Sequence, residues 1–402
     1  MFSEYKPWVR FAVFNLLIVA GIGVVLRYKI AFSLPWVDQK NLLQSHSHFA
    51  FAGWLTQLLM TLVVRYLNKH GIEKALLRYK WVLIANGVTA YGMLVTFPFE
   101  GYGLFSIIFS TLSIFVSYAF AILVFYDAHK LKKGTASMAS IKASVAFNAI
   151  SSIGAFSLAY MMATHNHHER LYLMAIYFFL HFQYNGWFFF ASMGLLFDIL
   201  SDLKHRSGKQ WVAFRSFFYS CFPAYFLSVL WLKLPVIIYS VVVLSAFIQL
   251  IAWIILWPQL REWSRKVNTE NRTGFWLLVL SALAFTIKLL LQAGSTHPSL
   301  SQLAFGFRPI VIGYLHLVLL GVISIFLLAY IYSERLLADN KSLKIGLVIF
   351  ISGIIINEIL LMIQGVCGIQ LITIDSINYY LFAAALIMFS GVAVVNRSQI
   401  SN

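Results

Sequence analysis

Charge is scarce in this sequence. Only 11% of its 402 residues are Asp, Glu, Lys or Arg, against 60% apolar, and the mean hydropathy is +0.81. Such a composition excludes a soluble globule, because too little polar surface exists to face water. Acids are scarcer still, 14 against 30 Lys and Arg, for a net charge of +16. That excess does not point to nucleic acid, since the basic residues sit in short loops between apolar runs, where they act as a topology signal. Cysteine is almost missing. Cys221 and Cys367 lie within or at the edge of apolar runs and form neither CxxC nor CxxCH, which argues against a disulfide framework, an iron–sulfur site or covalent haem attachment. Lys6 and Arg10 precede the first run, but no small-residue cleavage site follows it, so a cleavable signal is not expected. No linker or low-complexity segment separates soluble domains.

What is present is a series of apolar runs about 20 residues long, which select helices as the membrane-spanning form. Twelve spans are predicted, near 9–27, 47–67, 79–98, 103–126, 138–162, 171–197, 210–231, 235–257, 275–294, 309–333, 344–366 and 373–396. The expected fold is all-α: one polytopic membrane domain, 1–402, of twelve transmembrane helices in three pseudo-repeats of four, near 1–134, 135–272 and 273–402. Of the 30 Lys and Arg, all fall on one side except Arg27, Lys29, Lys40, Arg170, Lys233 and Arg308, with Lys288 inside a span. The positive-inside rule therefore places both termini in the cytoplasm, and a bacterial inner membrane is the expected location.

Three histidines recur in this frame. His46-Ser-His48-Phe-Ala-Phe-Ala-Gly53-Trp54 opens the second run, His181-Phe182-Gln-Tyr-Asn-Gly186-Trp187 lies in the sixth, and His316-Leu-Val-Leu-Leu-Gly321 in the tenth. His48, His181 and His316 are 133 and 135 residues apart (181 − 48 and 316 − 181). A histidine inside the bilayer is costly and marks a functional site by default. Neutral imidazole is a good axial ligand for haem iron, and two from different helices make a six-coordinate, electron-transferring haem. The bland reading is a hydrogen-bonded bundle residue, and three in register weigh against it. His46 and His48 are about 200° apart round a regular helix, so they serve two sites rather than one metal; His46 fits the preceding loop equally well. Tyr314 stands to His316 as His46 stands to His48.

Twelve helices in three fourfold units, cytoplasmic termini and histidines on helices 2, 6 and 10 resemble the catalytic subunit of haem–copper oxidases and nitric oxide reductases. The His46-x-His48-x4-Gly53-Trp54 text is similar to that on helix 10 of the C-type oxidases and nitric oxide reductases. The resemblance implies that His48 and His316 ligate a low-spin b-type haem and that His181 faces a second site holding copper or a second iron. It also implies other respiratory membrane subunits and a cytochrome or quinol donor as partners. Three departures stand out. Tyr314 replaces the histidine of the active-site haem, span 7 has no histidine pair, and Phe182-Gln183 follows His181 in place of Pro-Glu. The first-unit His-x-His is also similar to the NnrS-type membrane haem proteins linked to nitric oxide stress, so a non-catalytic haem, copper or nitric oxide-handling role stands beside the oxidoreductase one.

Other polar residues in or beside the spans divide between site and structure. Lys288 and Glu358 are the deep charges of opposite sign, suited to an ion pair or a proton path. Arg308 at the outer mouth of span 10 suits a haem propionate or a snorkelling position. His165, His167, His168 and Glu169 cluster in an outer loop, with His297 in a comparable one, suited to surface metal or plain solvation. Gln183, Asn185, Asn148, Asn357 and Gln249 are expected to satisfy one another across helices.

Overall fold

The computed structural model describes residues 3–131, 134–165, 168–201, 207–266, 272–300 and 307–400. Among them no strand occurs and twelve long helices follow one another: α1 (Lys6–Ala31), α2 (Gln39–Lys69), α3 (Ala75–Glu100), α4 (Leu104–Lys130), α5 (Ala136–Ala163), α6 (169–200), α7 (Ser207–Ala224), α8 (Val236–Lys266), α9 (Arg272–Gly294), α10 (Arg308–Ser333), α11 (Lys341–Ile369) and α12 (Ile377–Ile400). Ten of these are long and apolar enough to cross a membrane, which makes the chain a multi-pass membrane protein in its architecture. The two below that level, α6 and α7, cover the predicted spans 171–197 and 210–231. His181, Gln183 and Asn185 dilute α6, and Lys209, Gln210 and Arg215 dilute α7. Pro223 lies in the last turn of α7, which continues as a 3₁₀ turn over Tyr225–Val229.

Large apolar side chains face outward over most helices, among them Trp81, Phe99, Phe105, Ile122, Val236 and Ile237. Water would not tolerate such a surface, and lipid does. The interior holds large apolar side chains as well, Trp54, Trp187 and Phe147 among them, together with buried polar residues such as Asn15, Gln57 and Asn86. α11 and α12 pack so closely that a Cβ on Gly391 would sit 2.4 Å from the Phe350 nitrogen, an approach that only glycine permits.

The chain divides into two compact units, Met1–Phe120 with Phe307–Asn402, and Ala121–Gly306. In the first, α1 packs on α2 and α12, α2 on α3, and α10 and α12 on α11. In the second, α5 packs on α6 and α7, and α8 on α7 and α9.

One feature recurs on three helices. Regular α-helix gives way to π-helix at Ala50–Thr56, Phe182–Phe188 and Leu317–Ser324. Each π segment begins one or two residues after His48, His181 or His316. A π turn inserts an extra residue, rotates the helix beyond it and loosens its carbonyls, and such turns are frequent at functional sites. In the first segment those carbonyls are capped from neighbouring helices: Asn15 Nδ2 donates to the Gly53 oxygen at 2.6 Å and Asn86 Nδ2 to the Ala52 oxygen at 3.0 Å. Tyr91 then donates to Asn15 Oδ1 (2.8 Å), completing a buried relay.

Candidate functional site

The first unit holds three of the four candidate histidines, His46, His48 and His316. Asp38 caps α2 by accepting from the Asn41 amide (2.7 Å), and the helix runs unbroken from Gln39 through His46 and His48. His46 is therefore helical, not part of the preceding loop. A good N-cap and seven largely polar residues carry the helix beyond the apolar run that marked its expected start. As the i, i+2 spacing requires, the two rings go separate ways. His48 stacks on Phe97 of α3, ring centres 4.5 Å apart, with Nε2 3.1 Å from the Tyr102 hydroxyl. His46 turns toward α1. A Cβ on Gly23 would lie 3.4 Å from its Cε1, and the Val19 carbonyl lies beside the ring. Its Nδ1 is nonetheless buried with no hydrogen bond.

His316 lies in the last turn of α10 before the π segment. Its Nδ1 donates to the Ile312 carbonyl at 2.9 Å. A carbonyl only accepts, so this bond places the proton on Nδ1 and leaves Nε2 a bare lone pair. Metal-bound imidazoles are held in the same way. His316 lies within electrostatic reach of His46 and Arg27, and Arg27 in turn of Glu358. Arg27 thus acts electrostatically on His46, His316 and Glu358, whereas His48 is engaged with Phe97 and Tyr102. Arg308 is exposed at the start of α10, and Tyr314 is half-buried two residues before His316. A haem asks for two imidazoles with open nitrogens and a cation for its propionates. His316, with its free Nε2, and His46, with its orphaned Nδ1, fit that demand beside Arg27.

α2 and α10 are joined below these histidines. Trp54 Nε1–H donates to Ser324 Oγ at 2.9 Å, linking one π segment to the other, and Ser324 donates to the Leu319 carbonyl at 2.8 Å. Further along, Arg65 pairs with Glu334 and reaches Tyr330.

The second unit holds His181, and it is only 1% exposed. Its Nε2–H donates to the Cys221 carbonyl (2.9 Å), and its Nδ1 accepts from Asn185 Nδ2 (3.1 Å). Both nitrogens are therefore engaged by the protein. Gln183 donates to Asn148 Oδ1 and Ser151 Oγ, both 2.8 Å away, as expected for amides satisfied across helices. Lys288 lies near His181 and Cys221, with its amine 5.7 Å from the Phe285 ring centre. Among the described residues, no group of three or more His, Cys, Asp or Glu is placed to hold a metal. His165, His168 and Glu169 are exposed, His297 is bonded to Ser299, and His167 lies outside the described residues.

Sequence reasoning missed Arg27, Gly23, Tyr102 and the three π segments. The only signal for the last was the His-x4-Gly spacing itself. Glycine does not act alike at each: a Cβ on Gly53 would strike the Phe49 ring one turn back, at 2.6 Å, whereas on Gly186 it would strike Phe147 of α5, also at 2.6 Å. Compared with known proteins, the chain matches no family model and no curated protein.

Proposed function

We propose that the first unit binds a b-type haem between α2 and α10 and that the protein is a membrane haem protein of the haem–copper oxidase or nitric oxide reductase type, working in respiratory electron transfer. The reading is carried by one observation: His316 and His46, each with an open imidazole nitrogen, share a neighbourhood with Arg27. His316 supplies one axial imidazole, steadied by the Ile312 carbonyl. His46 supplies the other in place of the position-matched His48, whose Nε2 is already bonded to Tyr102. Arg27 offers charge to a propionate, and Arg308 a second cation at the helix mouth. Bound there, a low-spin haem would carry single electrons. The protein's part is to hold the two rings and exclude water. Respiratory subunits and a cytochrome or quinol donor are the partners that follow from this reading.

We further propose that the chain is a threefold repeat of four helices, twelve spans in all, in a bacterial cytoplasmic membrane with both termini inside. Support comes from the three π segments that follow the three spaced histidines. The non-catalytic, NnrS-type reading draws on a separate observation. His181 is saturated by Cys221 and Asn185, so it offers a second metal no free nitrogen without rearrangement.

The test is a reduced-minus-oxidised spectrum of the purified protein with haem and metal analysis. Stoichiometric low-spin haem, lost in His316→Ala and His46→Ala and kept in His48→Ala, supports the assignment. Haem lost in His48→Ala but kept in His46→Ala would restore the position-matched pair. A haem-free protein from haem-replete cells overturns the reading. Rapid oxygen consumption abolished by His181→Ala would make the protein an oxidase.

A further inference from the structure

The second unit has an unexplained charge. Lys288 sits in the second half of α9, only 4% exposed. An ammonium at such a site needs a counter-charge, water or loss of its proton. Among the described residues no ion pair or hydrogen bond involves its amine, which lies 5.7 Å from the centre of the Phe285 ring. Instead Lys288 lines a small cavity among α6, α7, α8 and α9, shared with Asn185, Cys221, Gln249, Phe217 and Phe285. No carboxylate lines it.

The amides there have hydrogens left to donate. Gln249 Oε1 is taken by Gln292 Nε2 at 2.8 Å, so its amide NH₂ is the part left to donate. Asn185 uses one amide hydrogen on His181 and keeps the second. The Cys221 carbonyl is occupied by His181. Amide donors and one cation, with no carboxylate among the lining residues, make a site for negative charge.

Its size limits the ligand. The cavity is about 10 Å³, measured for the centres of water-sized particles, which is room for one such particle. A sulfate or carboxylate exceeds that room, and a single-atom anion is the anion nearest to it in size. We propose that Lys288, Gln249 and Asn185 form a binding site for a small monovalent anion of halide size, which supplies the counter-charge that the fold withholds from Lys288. The site involves none of the proposed haem ligands and stands or falls apart from them.

Bromide is the probe. Crystals of the full-length protein grown with bromide in place of chloride should show anomalous scattering at the bromine edge beside the Lys288 amine. A water there, without anomalous signal, overturns the proposal. In solution, thermal unfolding should occur at higher temperature in chloride than in gluconate at equal ionic strength, and Lys288→Met should abolish that difference. Should Lys288→Met not fold, Gln249→Leu reads the same site and should raise the halide concentration for half-maximal stabilisation by about tenfold, the loss of one hydrogen bond to a charged group. Equal unfolding in both salts, or an unchanged halide response in the folded variant, counts against the site.

Discussion

The bond between Trp54 and Ser324 offers a direct test of how the histidine helices are held. Both residues are buried, 2% and 1% exposed, and the indole N–H has the Ser324 hydroxyl as its acceptor at 2.9 Å. Ser324→Ala removes that acceptor and leaves the N–H unpaired in an apolar interior, which costs about 1–3 kcal/mol. The serine loses little else, since its own bond runs to the Leu319 carbonyl within the π turn. Trp54→Phe removes the donor and part of the ring, so its cost of about 2–3 kcal/mol includes a cavity contribution. The quantity that isolates the bond is the coupling in the double mutant. Interhelical hydrogen bonds in membranes couple by roughly 0.6 and up to about 1.7 kcal/mol, and this buried pair belongs in the upper half of that range. Reversible unfolding in mixed micelles of increasing dodecyl sulfate, followed by circular dichroism, measures all four proteins. Additive effects, with coupling below about 0.3 kcal/mol, would refute the claim that this bond ties α2 to α10. In the haem reading, both single variants also weaken haem retention, because the two ligand helices lose their register.

The Arg65–Glu334 pair joins a buried guanidinium to a carboxylate that is 25% exposed. Arg65→Met leaves that carboxylate without its partner and should cost about 1–3 kcal/mol, and Arg65→Met with Glu334→Gln recovers part of it, read by the same unfolding assay. Gly391→Ala places a methyl 2.4 Å from the Phe350 backbone; forcing α11 and α12 apart should cost about 1–3 kcal/mol or more, and a wild-type melting temperature would contradict the packing. For orientation, in a chain with Cys221 and Cys367 replaced, Glu73→Cys should react with a membrane-impermeant maleimide only in inverted vesicles and Glu169→Cys only in right-side-out cells. Labelling of both from one side would refute the twelve-span topology.

The sequence by itself determined what depends on composition and local periodicity. Runs of about 20 apolar residues with few charges can only be membrane helices, because the bilayer leaves no other way to satisfy the backbone. The twelve expected segments accordingly reappear as helices, ten of them apolar enough to span by themselves. The spacing of His48, His181 and His316 was legible for the same reason, as was the mutual satisfaction of Gln183 and Asn148. What each histidine does was not legible, because the answer lies in neighbours distant in the chain. His181 is a saturated core imidazole only because Cys221, forty residues on, offers its carbonyl. His46 faces α1 and His48 faces α3 because a helix sends i and i+2 to opposite sides, but which ring would lie within the field of His316 and Arg27 awaited the packing of α1, α2 and α10. Likewise Lys288 and Glu358 read as natural opposites along the chain, yet tertiary structure gives Glu358 the field of Arg27 and gives Lys288 a small cavity lined by no carboxylate. Charges in a membrane protein are matched through space at short range, and sequence order does not encode those distances.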